Sequence, residues 1–174
     1  KAEPMIVVMT NGNVSQEAAP AETSAGFVPP SMNLPKTMEG SFESTFMEVV
    51  KFIDTNYRTI TKKQGRAIAG LSMGGRHSIA ISRRYPGTIG YVGMFSGAGS
   101  GPENEAQLKA LSHQVFPVYW IGVGSADGVK VTASALRDYC QEKGYPCEYY
   151  ESDGGHIWRN WRVYLTIFAQ KLFK

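Results

Sequence analysis

The chain has 174 residues, 43% of them apolar and 19% charged, with 18 basic against 15 acidic side chains for a formal net charge of +3. That is the composition of one globular domain, and it excludes a polar, highly charged disordered segment. The basic residues are dispersed, paired only at Lys62–Lys63 and Arg83–Arg84, so there is no stripe for nucleic acid, and no apolar run approaches the ~18 residues of a membrane span.

In chain order, the first predicted element is the apolar run Pro4–Met9, halted by Thr10-Asn11-Gly12-Asn13. A short apolar run bounded by turn residues reads as a strand buried on both faces. Residues 14–40 carry no periodicity and are broken by Pro20, Pro29, Pro30 and Pro35, the pattern of a long functional loop. Phe42, Phe46, Val49, Val50 and Ile53 then follow the helical period, with Ser41 expected as N-cap.

A short strand over Arg66–Leu71 runs into Ser72-Met73-Gly74-Gly75, and a helix is expected from Gly75 to Tyr85, stopped by Pro86-Gly87. Further strands are predicted at Tyr91–Phe95, Val115–Val123 and Cys147–Glu151, and helices at Glu103–Leu111, Val131–Lys143 and Trp158–Phe173. Strands alternating with helices specify one α/β domain with a mostly parallel sheet and helices on both faces. Cys140 and Cys147 are too few for a disulfide framework; one bridge and two separate thiols are both open. The chain begins Lys1-Ala2-Glu3-Pro4, without an initiating Met or a signal-peptide pattern, and is expected to be a processed, trimmed or partial chain.

In an open parallel sheet, functional groups collect beyond the carboxyl ends of the strands. The strand–turn–helix sequence Gly70-Leu71-Ser72-Met73-Gly74 has the G-x-S-x-G form of a nucleophile elbow: the glycines admit a tight turn that lifts the Ser72 hydroxyl clear of the sheet. The Met73 N–H that follows is the expected oxyanion donor. A serine hydroxyl needs a base. Of the three histidines, His77 lies on the helix leaving the turn and His113 in the polar lead-in to a strand, so both are expected to be structural. His156, in Asp153-Gly154-Gly155-His156 after the last strand, is the expected base. Asp127, after the Val115–Val123 strand, is favoured as the acid that orients it, with Asp153 as competitor. The order Ser, Asp, His is that of α/β-hydrolases.

The stretches Arg66–Gly75 and Gly154-Gly155-His156-Ile157-Trp158 resemble the putative-esterase family of α/β-hydrolases, which includes feruloyl and acetyl-xylan esterases, esterase D-type hydrolases and the mycolyltransferases. The resemblance extends to Pro4–Asn13 and Ser41–Tyr57. It implies a carboxylic-ester hydrolase with the triad Ser72, Asp127 and His156, acting on feruloyl or acetyl esters of plant polysaccharide, secreted or periplasmic, with no cofactor. An acyltransferase and a non-catalytic sugar-binding relative are the alternatives. Substrate contacts are expected from the Asn11–Lys36 loop, the Ser96–Gly101 loop and Trp158; Trp161 reads better as core. Three dispersed histidines and two cysteines offer no metal-ligand spacing. Family members carry further strands before the segment matching Pro4–Met9, one supplying a second oxyanion amide. The chain is therefore expected to be the C-terminal portion of a larger catalytic domain, completed by a separate or absent N-terminal segment.

Overall fold

The computed structural model describes residues 1–10, 40–98 and 116–174. Its elements are α1 (Ser41–Asn56), a 3-10 turn at Lys63–Gly65, β1 (Ala67–Leu71), α2 (Met73–Arg84), β2 (Tyr91–Phe95), β3 (Val118–Gly124), α3 (Lys130–Glu142), β4 (Glu148–Ser152) and α4 (Trp158–Ala169). The four strands form one parallel sheet in the order β1-β2-β3-β4. The expected helix over Glu103–Leu111 lies outside the described residues.

Alternation along the central strands builds a core on each face. Val92, Met94, Tyr119, Ile121 and Val123 point to one side, where Ile79 of α2 and Ala133, Leu136 and Cys140 of α3 pack on them. Tyr91, Phe95, Val118 and Trp120 point to the other, against Trp161, Tyr164, Phe168 and Leu172 of α4 and its C-terminal extension. Every residue of β2 and β3 is buried, as a parallel sheet covered on both faces requires. Cys140 and Cys147 are both free thiols.

Pro4–Met9 departs from the expectation. Residues 1–10 form no strand, Ile6 to Met9 are exposed, and only Met5 packs, against the core on the α4 side. Apolar composition supplies a reason for burial, but a strand also needs a hydrogen-bonding neighbour about 4.8 Å away. Among the described residues β1 pairs only with β2, and its residues are half-buried or exposed.

The start of α1 also shifts by one residue. Gly40 is the cap, at φ 95°, and its carbonyl accepts from the Ser44 N–H at 3.0 Å. The one fully buried residue of this helix is polar: Glu43, whose Oε1 meets His77 Nδ1 at 2.7 Å. His77 is thus a packed histidine of α2 and is also in ring contact with Phe42.

Candidate active site

Ser72 sits between β1 and α2 with φ 52° and ψ −116°, a strained backbone for a residue with a Cβ. Its N–H donates to the Phe95 carbonyl at 2.8 Å and its carbonyl accepts from the Arg76 N–H at 3.2 Å, so sheet and helix grip the turn from opposite sides. The turn is tight enough that a Cβ on Gly70 would lie 2.3 Å from the backbone carbonyl of Gly74. Helix α2 begins at Met73, two residues before the expected start, so the Met73 N–H is the first of the amides that a helix leaves without an intrahelical partner.

Asp127 is held in the turn after β3. Its N–H donates to the Gly124 carbonyl at 3.1 Å, and its Oδ1 accepts from the Val129 N–H at 3.0 Å. The loop after β4 is stitched to that turn by Ser125 N–H to the Ser152 carbonyl at 2.8 Å and Ala126 N–H to the Gly154 carbonyl at 2.9 Å. A Cβ on Gly124 would meet the Gly154 carbonyl oxygen at 2.3 Å, and Gly154 itself has φ 87°. Glycine at both positions lets the two loops touch.

The result is one linear array. His156 Nε2 stands 2.9 Å from Ser72 Oγ, and His156 Nδ1 stands 3.0 and 3.2 Å from the two oxygens of Asp127. An ionised carboxylate only accepts, so Nδ1 carries the proton and Nε2 is free to accept from the serine hydroxyl. The Asp127 side chain is wholly buried, while that of His156 is 37% exposed. Asp153 takes another role: its backbone carbonyl accepts from Asn160 Nδ2 at 3.0 Å.

Trp158 is 63% exposed and meets Trp161 edge to face at 5.2 Å, and Trp161 in turn lies 4.9 Å from the His156 ring. Trp161 is buried in the core, as its sequence context suggested. Asn11 lies outside the described residues. Ser96, expected at the start of a substrate loop, is instead fully buried, and its hydroxyl accepts from Trp161 Nε1 at 3.0 Å. The local geometry favours the inside: Ser96 N–H donates to the Gly122 carbonyl at 2.7 Å, which turns the residue inward at the end of β2.

One residue of the site carried no signal in the sequence. Asn160 is buried, and its amide donates to the Asp153 and Gly155 carbonyls, both at 3.0 Å, bracing the His156 loop from inside. A single asparagine in a helix next to a Gly-Gly-His loop is the only hint available. Among the described residues, no group of three or more His, Cys, Asp or Glu is placed to hold a metal ion, and no helix is long and apolar enough to cross a membrane.

The family model described as Putative esterase matches residues 1–171. The chain belongs to that family. A curated relative, the endo-1,4-beta-xylanase/feruloyl esterase of Xylanibacter ruminicola, is 34% identical over 131 residues, covering 73% of this chain and 17% of the relative. Among solved structures, a CE1 ferulic acid esterase from Anaeromyces mucronatus in complex with ferulic acid aligns with a TM-score of 0.71 at 24% identity, over 84% of this chain and 59% of that one. The S-formylglutathione hydrolase of Staphylococcus aureus aligns at 0.61 and 15% identity, over 76% and 64% respectively. These likenesses show the α/β-hydrolase fold. The chain thus spans about a sixth of the length of the curated esterase relative (17%) and about three fifths of the first solved one (59%).

Proposed function

We propose that the protein is a serine carboxylesterase in which Ser72 is the nucleophile, His156 the general base and Asp127 the acid that orients it. The observation that carries this is the array in which His156 Nε2 is 2.9 Å from Ser72 Oγ while Nδ1 faces the buried Asp127 carboxylate. Ser72 Oγ attacks the ester carbonyl carbon as its proton passes to His156 Nε2. The carbonyl oxygen becomes an oxyanion facing the Met73 N–H, at the positive end of α2. Collapse breaks the bond to the alcohol oxygen, which leaves with the proton from His156. Water then attacks the acyl-enzyme, its proton passing to His156, and the carboxylic acid leaves as Ser72 regains its hydrogen.

The substrate class is a feruloyl or acetyl ester of plant polysaccharide, in line with the xylanase/feruloyl esterase relative and with Trp158 standing exposed against Trp161, the ring that touches His156. An exposed indole is a flat apolar platform for a phenolic acyl group or a sugar face. Asn11 is proposed as a further substrate contact. A polymeric substrate of this kind implies secretion or a periplasmic location.

Among the described residues β1 pairs with β2 alone and the apolar run Ile6–Met9 is exposed and outside the sheet, and both support a second part of the proposal. Residues 1–174 are the C-terminal portion of one catalytic domain, and a strand from outside them pairs with β1.

The test is hydrolysis of methyl ferulate and of acetylated xylo-oligosaccharide, with product analysis in the presence and absence of an acceptor sugar. Release of free ferulate or acetate supports the proposal. Acylated acceptor without free acid would identify an acyltransferase instead, and no turnover of either ester would overturn the substrate class.

A further inference from the structure

Ser96 is a buried polar residue with strained backbone, beside the site, that the proposed mechanism leaves unused. It directly follows β2, its backbone is left-handed at φ 49°, and none of its surface is exposed. Non-glycine residues rarely hold that conformation unless their surroundings over-determine it. Two contacts do so here: the N–H donates to the Gly122 carbonyl at 2.7 Å, and Oγ accepts from Trp161 Nε1 at 3.0 Å. The peptide immediately before Ser96 also serves the nucleophile, since the Phe95 carbonyl accepts from the Ser72 N–H. Ser72 and the Trp161 indole are thereby referenced to the same end of the same strand.

Trp161 carries that reference to the base. The residue is 8% exposed, and its ring meets the His156 ring at 4.9 Å and 88°. The two in-plane hydrogen bonds of His156, to Asp127 and Ser72, fix the ends of the imidazole. They do not fix its roll about the axis that joins those partners. A perpendicular wall on one side does.

The geometry points to Ser96 as a positioning residue that acts through Trp161: the buried hydroxyl locks the indole, and the indole fixes the roll of the His156 ring so that Nε2 stays aimed at Ser72 Oγ. This rests on the reading of His156 as the base. A purely structural role, in which the bond only clamps α4 to the sheet, would change thermal stability and leave the reactivity of Ser72 untouched.

The two are separated by the kinetics of labelling with a fluorophosphonate probe, which gives a limiting rate kinact and a half-saturating concentration KI without a known substrate. Ser96→Ala removes the hydroxyl and keeps the Cβ on the same backbone. Trp161→Phe keeps an aromatic ring and removes the N–H. Each is expected to lower kinact by about 10- to 100-fold, the scale of a small misplacement of a reacting group. KI should stay within about 2-fold, because the loss is in the chemical step. The double variant should fall no further than the weaker single variant, because the two changes break one bond. Unchanged kinact in both single variants, or losses that add in the double, would overturn the proposal, whatever happens to the melting temperature. If Ser96→Ala does not fold, Trp161→Phe decides alone. A wild-type protein that takes no probe would instead remove the reading of the base, and this proposal with it.

Discussion

Asp127 Oδ1 faces two N–H donors at once, His156 Nδ1 and the Val129 amide, each at 3.0 Å. The backbone donor holds the carboxylate independently of the histidine. Asp127→Asn tests what the charge adds. Its carbonyl oxygen can still take both the Val129 N–H and the Nδ1–H, but an amide NH2 then replaces Oδ2, 3.2 Å from Nδ1. The negative charge that would stabilise the imidazolium is lost. Esterase activity at neutral pH should fall by about 10⁴-fold, with the fold intact by circular dichroism. A loss under about 10-fold would show that the charge of Asp127 is not what the site needs.

Gly70 and Gly74 make opposite predictions from the same motif. A Cβ at Gly70 would meet the Gly74 backbone at 2.3 Å, while one at Gly74 meets nothing within 4 Å. Gly70→Ala should destabilise by about 1–3 kcal/mol or more, because backbone has to shift. Gly74→Ala, on the first turn of α2, should be neutral or stabilising by up to ~1 kcal/mol. Thermal unfolding of the two variants checks the elbow geometry directly. Equal effects would contradict it.

Trp158 is expected to matter for the acyl group and not for stability, because it is 63% exposed. Trp158→Ala should raise KM for a feruloyl ester by about 2- to 10-fold, the worth of one aromatic contact. KM for an acetyl ester and the melting temperature should not move. A matching rise for both esters would place the tryptophan elsewhere in the cycle.

The Glu43–His77 pair makes the stability pH-dependent. Burial works to raise the Glu43 carboxyl, but the His77 hydrogen bond, the backbone N–H of Glu43 and the charges of His77 and Arg76 outweigh it and hold the pKa below 4.5. A carboxylate with a lowered native pKa stabilises the fold above its unfolded pKa, and that contribution is lost as pH falls through the native value. Glu43→Gln should therefore lower the melting temperature at pH 7, by about 3–10 °C for a loss of 1.5–3 kcal/mol. At pH 3 the gap from wild type should narrow. A gap independent of pH would show that the pair does not carry charge.

The array of Ser72, Asp127 and His156 was legible because each lies in the turn or loop after a strand that the sequence marks well. Glycines bracket Ser72 and precede His156, and a seven-residue buried strand points to Asp127. What escaped the sequence depends on partners far along the chain. The Ser96–Trp161 bond spans 65 positions and the Glu43–His77 pair 34, so neither leaves a local pattern. Pro4–Met9 misled for a different reason. Its apolar run reports an appetite for burial, whereas strand formation depends on a neighbour that composition does not encode.

The measurement that bears most directly on the account is intact mass after treatment with a fluorophosphonate serine probe, on the wild type and on Ser72→Ala. One adduct on the wild type and none on the variant is the expected result. An adduct that persists in Ser72→Ala, or a wild type that takes none, would contradict an activated Ser72.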